Sequence, residues 1–283
     1  NFLRLIHLVI PSSKGIKKFI KDLDPDLVLV VGANWPTRSE KLSSEIDFIK
    51  ASKQLKKPSI AHVISWDNLI ARGLYHYNPS VMFVWNETHY DEAINVQKIP
   101  KESIKIIGAP FMDKWFEELN LSPKKDFFES IGLDPEKPLI TYLGSAKNIS
   151  TSEKEVVEIL HNELLKEGIQ LIVRPHGANI NQFIGLRNNI KMVPSNGELP
   201  DTIESKELMV SSLKYSDLTI GINTTAMIDS VILNTPCISI VKKEYKYNQS
   251  DTPHFKKVQK EGIFIEAHSE KEIISKIIEF NKK

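Results

Sequence analysis

Six short polar runs in this 283-residue chain combine residue types that can do chemistry. Ser65-Trp66-Asp67-Asn68-Leu69 sets a carboxylate beside a carboxamide and an indole. A carboxylate can take the proton of an attacking hydroxyl, which makes Asp67 the candidate general base; the same run also reads as an Asp/Asn turn opening a helix. In Trp85-Asn86-Glu87-Thr88, Asn86 fits the N-cap of a helix beginning at Glu87. Gly144-Ser145-Ala146-Lys147 is a small-residue turn in which the Ser145 N–H and hydroxyl can meet a phosphate. Arg174-Pro175-His176-Gly177 offers a planar guanidinium fork suited to phosphate and an imidazole able to donate a hydrogen bond or a proton; a surface arginine and a satisfied loop histidine are the plain alternative. Asn223-Thr224-Thr225 places three hydrogen-bonding side chains in a row, where a helix cap and an anion site are both possible. Gln249, Thr252, His254 and Phe255 stand in a stretch that reads as irregular, where a histidine and an aromatic can close on a base or sugar or simply pack.

Each run is positioned by the element before it. Residues 218–222 are apolar enough for a strand covered on both faces, and Met227, Ile228, Val231 and Ile232 mark one stripe of a following helix. The spacing elsewhere predicts the same alternation. Strands fall at about residues 28–31, 58–64, 81–84 and 103–107, with helices at 14–23, 39–55 and 87–96. Residues 2–10 fit either helix or strand. After a Lys-, Glu- and Asp-rich connector a second series runs through strands at 139–143, 170–173, 191–193, 218–222, 237–241 and 263–265. Its helices are expected at 153–166, 179–186, 206–215 and 270–280. The fold class is therefore α/β, with two Rossmann-like domains, residues 1–120 and 136–283, facing across a cleft. In such sheets ligands bind beyond the carboxyl ends of the strands, and the first five runs follow strands in that way.

Composition narrows the classes. Thirty-seven basic residues against thirty-six acidic ones leave a net charge of +1, so no nucleic-acid partner is indicated. A single cysteine, Cys237, excludes an internal disulfide and fits a reducing, cytoplasmic setting and a core position. The eight histidines show no paired metal-ligand spacing, so no metal site is expected. The chain begins at Asn1 inside what reads as the end of an element, and the expectation is that the first domain is incomplete.

The twin α/β halves, the run 171–176 and the run 217–230 followed by Asn234-Thr235-Pro236-Cys237-Ile238 together resemble GT-B-fold glycosyltransferases of bacterial surface-polysaccharide type. The same arrangement is similar to CDP-glycerol glycerophosphotransferases of teichoic-acid synthesis and to nucleotide-sugar 2-epimerases. The resemblance implies an enzyme that moves a sugar, or glycerophosphate, from a nucleotide-activated donor to a hydroxyl of a saccharide or lipid-linked acceptor. It implies no cofactor or obligatory metal, and a place in the cytoplasm or at the inner face of the membrane. Asn223, Thr224 and Thr225 would hold the donor diphosphate, with Ser145, Arg174 and His176 beside it. Trp66, Asn68, Asp229 and His254 would line the donor or acceptor pocket. The implied mechanism is electrostatic: Arg174, His176 and the helix N-terminus stabilise charge on the departing diphosphate while Asp67 takes the acceptor proton. Epimerisation of a nucleotide sugar and a non-catalytic nucleotide-binding module are the other readings.

Overall fold

The computed structural model describes residues 9–32, 44–71, 73–117, 121–187 and 190–282. The chain divides into two compact units, Asn1–Lys114 and Trp115–Lys283. The expectation for residues 2–10 falls almost wholly outside the described residues, as does the start of the helix expected at 39–55.

In the first unit, helix α1 (Lys14–Leu23) leads to strand β1 (Val28–Val31), then α2 (Ser44–Gln54), β2 (Ser59–His62), α3 (Asn68–Ala71), β3 (Val81–Val84), α4 (Glu87–Asn95), β4 (Ile104–Ile106) and α5 (Pro110–Asp113). The four strands are parallel and lie in chain order, β1-β2-β3-β4. Two helices are capped by side chains, the second of them at the residue the sequence predicts. Ser13 accepts a hydrogen bond from Ile16 N–H at the start of α1, and Asn86 accepts one from His89 N–H at the start of α4. The core is built from alternate strand residues such as Ala61, Met82 and Val84, closed by Ile49, Leu69 and Ala93 from the helices. Strand β1 departs from expectation: among the described strands it lies at the edge of this sheet, and it buries Val30 alone.

The second unit continues with α6 (Lys124–Ser130), β5 (Leu139–Leu143), α7 (Lys154–Lys166), β6 (Gln170–Arg174), β7 (Lys191–Met192), α8 (Ile203–Lys214), β8 (Leu218–Gly221), α9 (Thr225–Ile232), β9 (Cys237–Ile240), α10 (Pro253–Lys260), β10 (Ile265–Ala267) and α11 (Glu270–Asn281). Its six strands are all parallel, in the order β10-β9-β8-β5-β6-β7. Strands β5, β8 and β9 are buried along their whole length, which is why they read as mainly apolar runs, with Thr141, Thr219 and Ser239 enclosed among them. Asp217 clips β8 to β5 by accepting from Leu139 N–H at 2.8 Å, and Cys237 sits in the core with its thiol pushed up to about 12 by burial.

Two segments differ from the spacing. Residues 177–183 form a 3₁₀ turn, kinked at Asn179, in place of the helix expected at 179–186. The stretch expected to be irregular contains α10, whose Pro253 opens the first turn and whose Phe255 and Val258 pack inward. No described helix is long and apolar enough to cross a membrane.

Strand order decides where a ligand can sit. From β5 the chain moves outward to β6 and β7, then returns to lay β8 on the opposite side of β5. The connections diverge between β5 and β8, which leaves a crevice at their carboxyl ends. The described strands of the first unit follow one another without such a reversal. The turn after β6 is pinned beside that crevice by close backbone approach. A Cβ on Gly177 would lie 2.6 Å from the Gly197 carbonyl oxygen, and neither backbone can retreat freely. Gly177→Ala should therefore cost about 1–3 kcal/mol, the usual range for overpacking, read as a lower urea midpoint. An unchanged midpoint would mean that the turn is not fixed by this contact.

Candidate functional site

Strand β5 is in register with both neighbours at its last residue: Leu143 pairs with Arg174 on β6 and with Gly221 on β8. Arg174 and the β8 end are thus two strand spacings apart, about 10 Å, with Gly144 between them. Gly144 is needed there, because a Cβ would meet the Phe183 ring at 2.9 Å and the Arg174 oxygen and His176 nitrogen at 3.2 Å.

Arg174 is 8% exposed, and its Nη1 makes no hydrogen bond among the described residues. Burial lowers its pKa to about 10, and the Asp229 carboxylate acts in the opposite direction. The group is a cation at neutral pH with donor capacity left over. His176 is half-buried, and its Nδ1 accepts from Ala178 N–H at 3.2 Å. Burial holds its pKa below the ordinary value of 6.5. A neutral ring whose Nδ1 accepts carries its proton on Nε2, so His176 offers an N–H rather than a positive charge.

Across β5, Thr224 is the N-cap of α9 with extended φ and ψ of −145° and 150°, and its side chain makes no capping bond. Thr224 and Thr225 are half-buried. Met227 N–H in the first turn of α9 bonds back to the Thr224 carbonyl at 3.1 Å, while a helix's opening amides point out of its N-terminus, where the helix dipole adds partial positive charge. The structure thus gathers an arginine, a neutral histidine N–H, two threonine hydroxyls and a helix N-terminus at the switch point of one sheet.

Four other residues of the expected set are used differently. Ser145 is fully buried and its N–H donates to the Glu153 carboxylate at 3.0 Å, so the protein's own anion stands where a phosphate was expected. Asn223 is buried and its Nδ2 donates to the Asn248 carbonyl at 2.7 Å, which ties the turn to the next loop. Asp229 is 4% exposed and accepts from the Trp115 indole N–H at 2.8 Å; it acts as a buried counter-charge to Arg174 more than as a pocket wall. His254 is buried in the first turn of α10, 3.4 Å from the Thr252 hydroxyl, and the neighbouring Phe255 is fully enclosed. Gln249 belongs to the same frame: its Nε2 donates to the carbonyls of Ile222 and Ile240, stitching the ends of β8 and β9.

In the first unit, Trp66, Asp67 and Asn68 follow β2. Asn68 is fully buried, and its side-chain oxygen accepts from Ile64 N–H at 3.1 Å, so it shapes the turn. Asp67 is half-buried and accepts from the Ser65 hydroxyl. The Trp66 carbonyl lies 3.2 Å from His89 Nε2, and His89 in turn packs against Trp85 with ring centres 5.3 Å apart. His89 carried no sequence signal beyond its place in a helix. Among the described residues no group of three His, Cys, Asp or Glu could hold a metal ion.

Glu153 is the residue that sequence reasoning missed. It is fully buried and accepts from Tyr142 Oη at 2.8 Å, Ser145 N–H and Gln182 Nε2 at 3.0 Å. Burial raises its pKa, and these hydrogen bonds act against that rise.

No protein-family model matches the sequence, and no curated protein matches it significantly. Solved structures do share its fold. A UDP-GlcNAc 2-epimerase of Neisseria meningitidis, bound to UDP-GlcNAc, superposes with a TM-score of 0.63 at 13% identity, over 95% of this chain and 72% of its own. The UDP-GlcNAc 2-epimerase of Methanocaldococcus jannaschii, in complex with UDP-GlcNAc and UDP, gives 0.62 at 16% identity over 95% and 72%. A glycosyltransferase of Streptomyces nogalater gives 0.53 at 10% identity over 90% and 63%. The fold is therefore GT-B-like, two α/β domains each with a parallel sheet.

Glu153 supplies a prediction with a definite sign. A carboxyl whose folded pKa lies above its unfolded value of 4.5 stabilises the fold below that pH and loses this contribution as pH rises through the folded pKa. The melting temperature of Glu153→Gln relative to the parent should climb as pH is raised from 4.5 towards neutrality. A difference that is flat with pH would show that burial does not perturb this group.

Proposed function

We propose that the second unit binds the diphosphate of a nucleotide sugar at the β8–α9 turn, and that the protein is an enzyme acting on that molecule. The observation that carries the proposal is the unpaired Nη1 of buried Arg174, two strands across the same carboxyl edge from an α9 N-terminus whose cap side chain is unused. Asp229 offsets the charge of Arg174 but leaves its Nη1 without a hydrogen bond, and the helix N-terminus adds positive potential at the same carboxyl edge. Arg174, the Nε2–H of His176, the hydroxyls of Thr224 and Thr225 and the first-turn amides would hold the phosphate oxygens. Bound donors of this kind also stabilise negative charge that grows on a departing diphosphate.

Two reactions fit. Epimerisation of the nucleotide sugar is supported by the likeness to two UDP-GlcNAc 2-epimerases. Inverting a carbon centre needs an acid and a base near the sugar, and Asp229 is already engaged by Trp115. Transfer to an acceptor hydroxyl is supported by the fold shared with a glycosyltransferase, and in that reaction Asp67 would be the base. CDP-glycerol as donor is the finer form of that second reading, drawn from the sequence resemblance alone.

Incubation with a panel of UDP-sugars and CDP-glycerol, with and without saccharide acceptors, separates the reactions. Conversion without nucleotide release marks epimerisation; release of nucleoside diphosphate or CMP marks transfer. Arg174→Met and the double variant Thr224→Ala/Thr225→Ala should each weaken nucleotide binding about tenfold or more, since each removes hydrogen bonds to a charged group. Undiminished affinity in both variants would remove the diphosphate assignment. For Asp67, an Asn variant that still transfers at the parental rate is not missing its base.

A further inference from the structure

A cavity of 640 Å³ opens at the carboxyl ends of β5 and β9, lined by neither Arg174, His176, Thr224 nor Thr225. Its walls are the loop 147–152, the first two turns of α7, the segment 242–248 and Glu270 at the start of α11. The volume is within the range of about 300–1,000 Å³ typical of small-molecule pockets.

The lining chemistry narrows the occupant. Three carboxylates, Glu155, Glu244 and Glu270, face two lysines, and Lys242 is already paired with Glu270. That balance disfavours a phosphate or other polyanion. The one aromatic is Tyr245, which is 5% exposed and offers no open face to a nucleobase. No group of three metal-binding side chains occurs among the described residues. What remains is a mixture of accessible hydroxyl, carboxamide and carboxylate groups (Thr151, Ser152, Asn148, Asn248, Glu155, Glu244) around an aliphatic patch of Ile149 and Ile159. Alternating donors and acceptors over an aliphatic floor suit a ring with hydroxyls on its rim and C–H bonds on its face.

We propose that this cavity is a saccharide-binding site, taking a neutral sugar ring through Glu155, Glu244 and the surrounding hydroxyls and amides. It is joined to the β8–α9 turn by one bond: Asn248, which lines the cavity, accepts from Asn223 at 2.7 Å. A sugar that orders segment 242–248 therefore also steadies the Asn223-Thr224-Thr225 turn. The inference stands on the cavity's own chemistry and does not require the nucleotide reading.

Isoleucine-methyl NMR of the full chain tests it. N-acetylglucosamine and glucose should shift the methyls of Ile149 and Ile159 in a saturable way. Glu155→Ala/Glu244→Ala, at exposed positions whose loss leaves the fold intact, should weaken that binding about tenfold or more. Inorganic phosphate should leave both methyls unmoved. Failure of both sugars to shift them, an undiminished effect in the double variant, or a shift caused by phosphate would each overturn the proposal. UDP is the parallel probe: it should move Ile228 on α9. Sugars that act while UDP is silent would uphold this site and count against the nucleotide reading alone.

Discussion

Arg174 carries its charge into the carboxyl edge of a sheet whose central strands are buried, and much else at that edge answers to it. Burial depresses its pKa to about 10, so the cation survives at neutral pH but is poorly solvated. Asp229 supplies the counter-charge and is itself anchored by the Trp115 indole. A buried carboxylate held by a neutral donor can offset a guanidinium without saturating it, which leaves Nη1 with capacity to bind. The small residues around it follow from the same demand. Gly144 and Gly177 let backbone and ring pack closely enough that Arg174 and His176 reach the crevice from a fixed base. The β8–α9 turn meets them from the other side of β5, fastened by Asn223 and Gln249, which donate to main-chain carbonyls.

Glu153 sets the limit of that positive region. Its carboxylate takes the Ser145 N–H at the end of β5 and closes a buried network with Tyr142 and Gln182. The switch point is thereby split: anion-attracting donors lie on β6 and α9, while an internal carboxylate occupies the turn directly between them. This division explains why the Ser145 N–H, expected beside a phosphate, is taken by the protein's own Glu153. It also separates the arginine site from the cavity beyond β5, where carboxylates outnumber lysines and the chemistry favours uncharged polar ligands.

Much of the architecture was legible because it is local. The runs 139–143, 170–173 and 218–222 are apolar and β-branched, and strands buried on both faces must be so. The positions of Arg174, His176 and the two threonines followed from the rule that ligands meet parallel sheets at their carboxyl ends. What could not be read were partnerships across the sequence. Asp229 and Trp115 are 114 residues apart, and a carboxylate on an apolar helix looks like a pocket residue until its indole is found. Glu153 reads as an ordinary acidic residue at a helix start, since only the fold brings Tyr142 and Gln182 to it. Helix α10 is a different kind of miss: Pro253 at its first turn and Gly262 after its end were visible, but the surrounding polar residues masked a short apolar stripe of Phe255 and Val258.

The central claim is that an anion completes Arg174 at the α9 N-terminus. A crystal structure of the protein with UDP tests it directly. The account predicts a phosphate oxygen within hydrogen-bonding distance of Arg174 Nη1 and of a first-turn amide of α9. A diphosphate seated away from both, with Nη1 still unpaired, would contradict it.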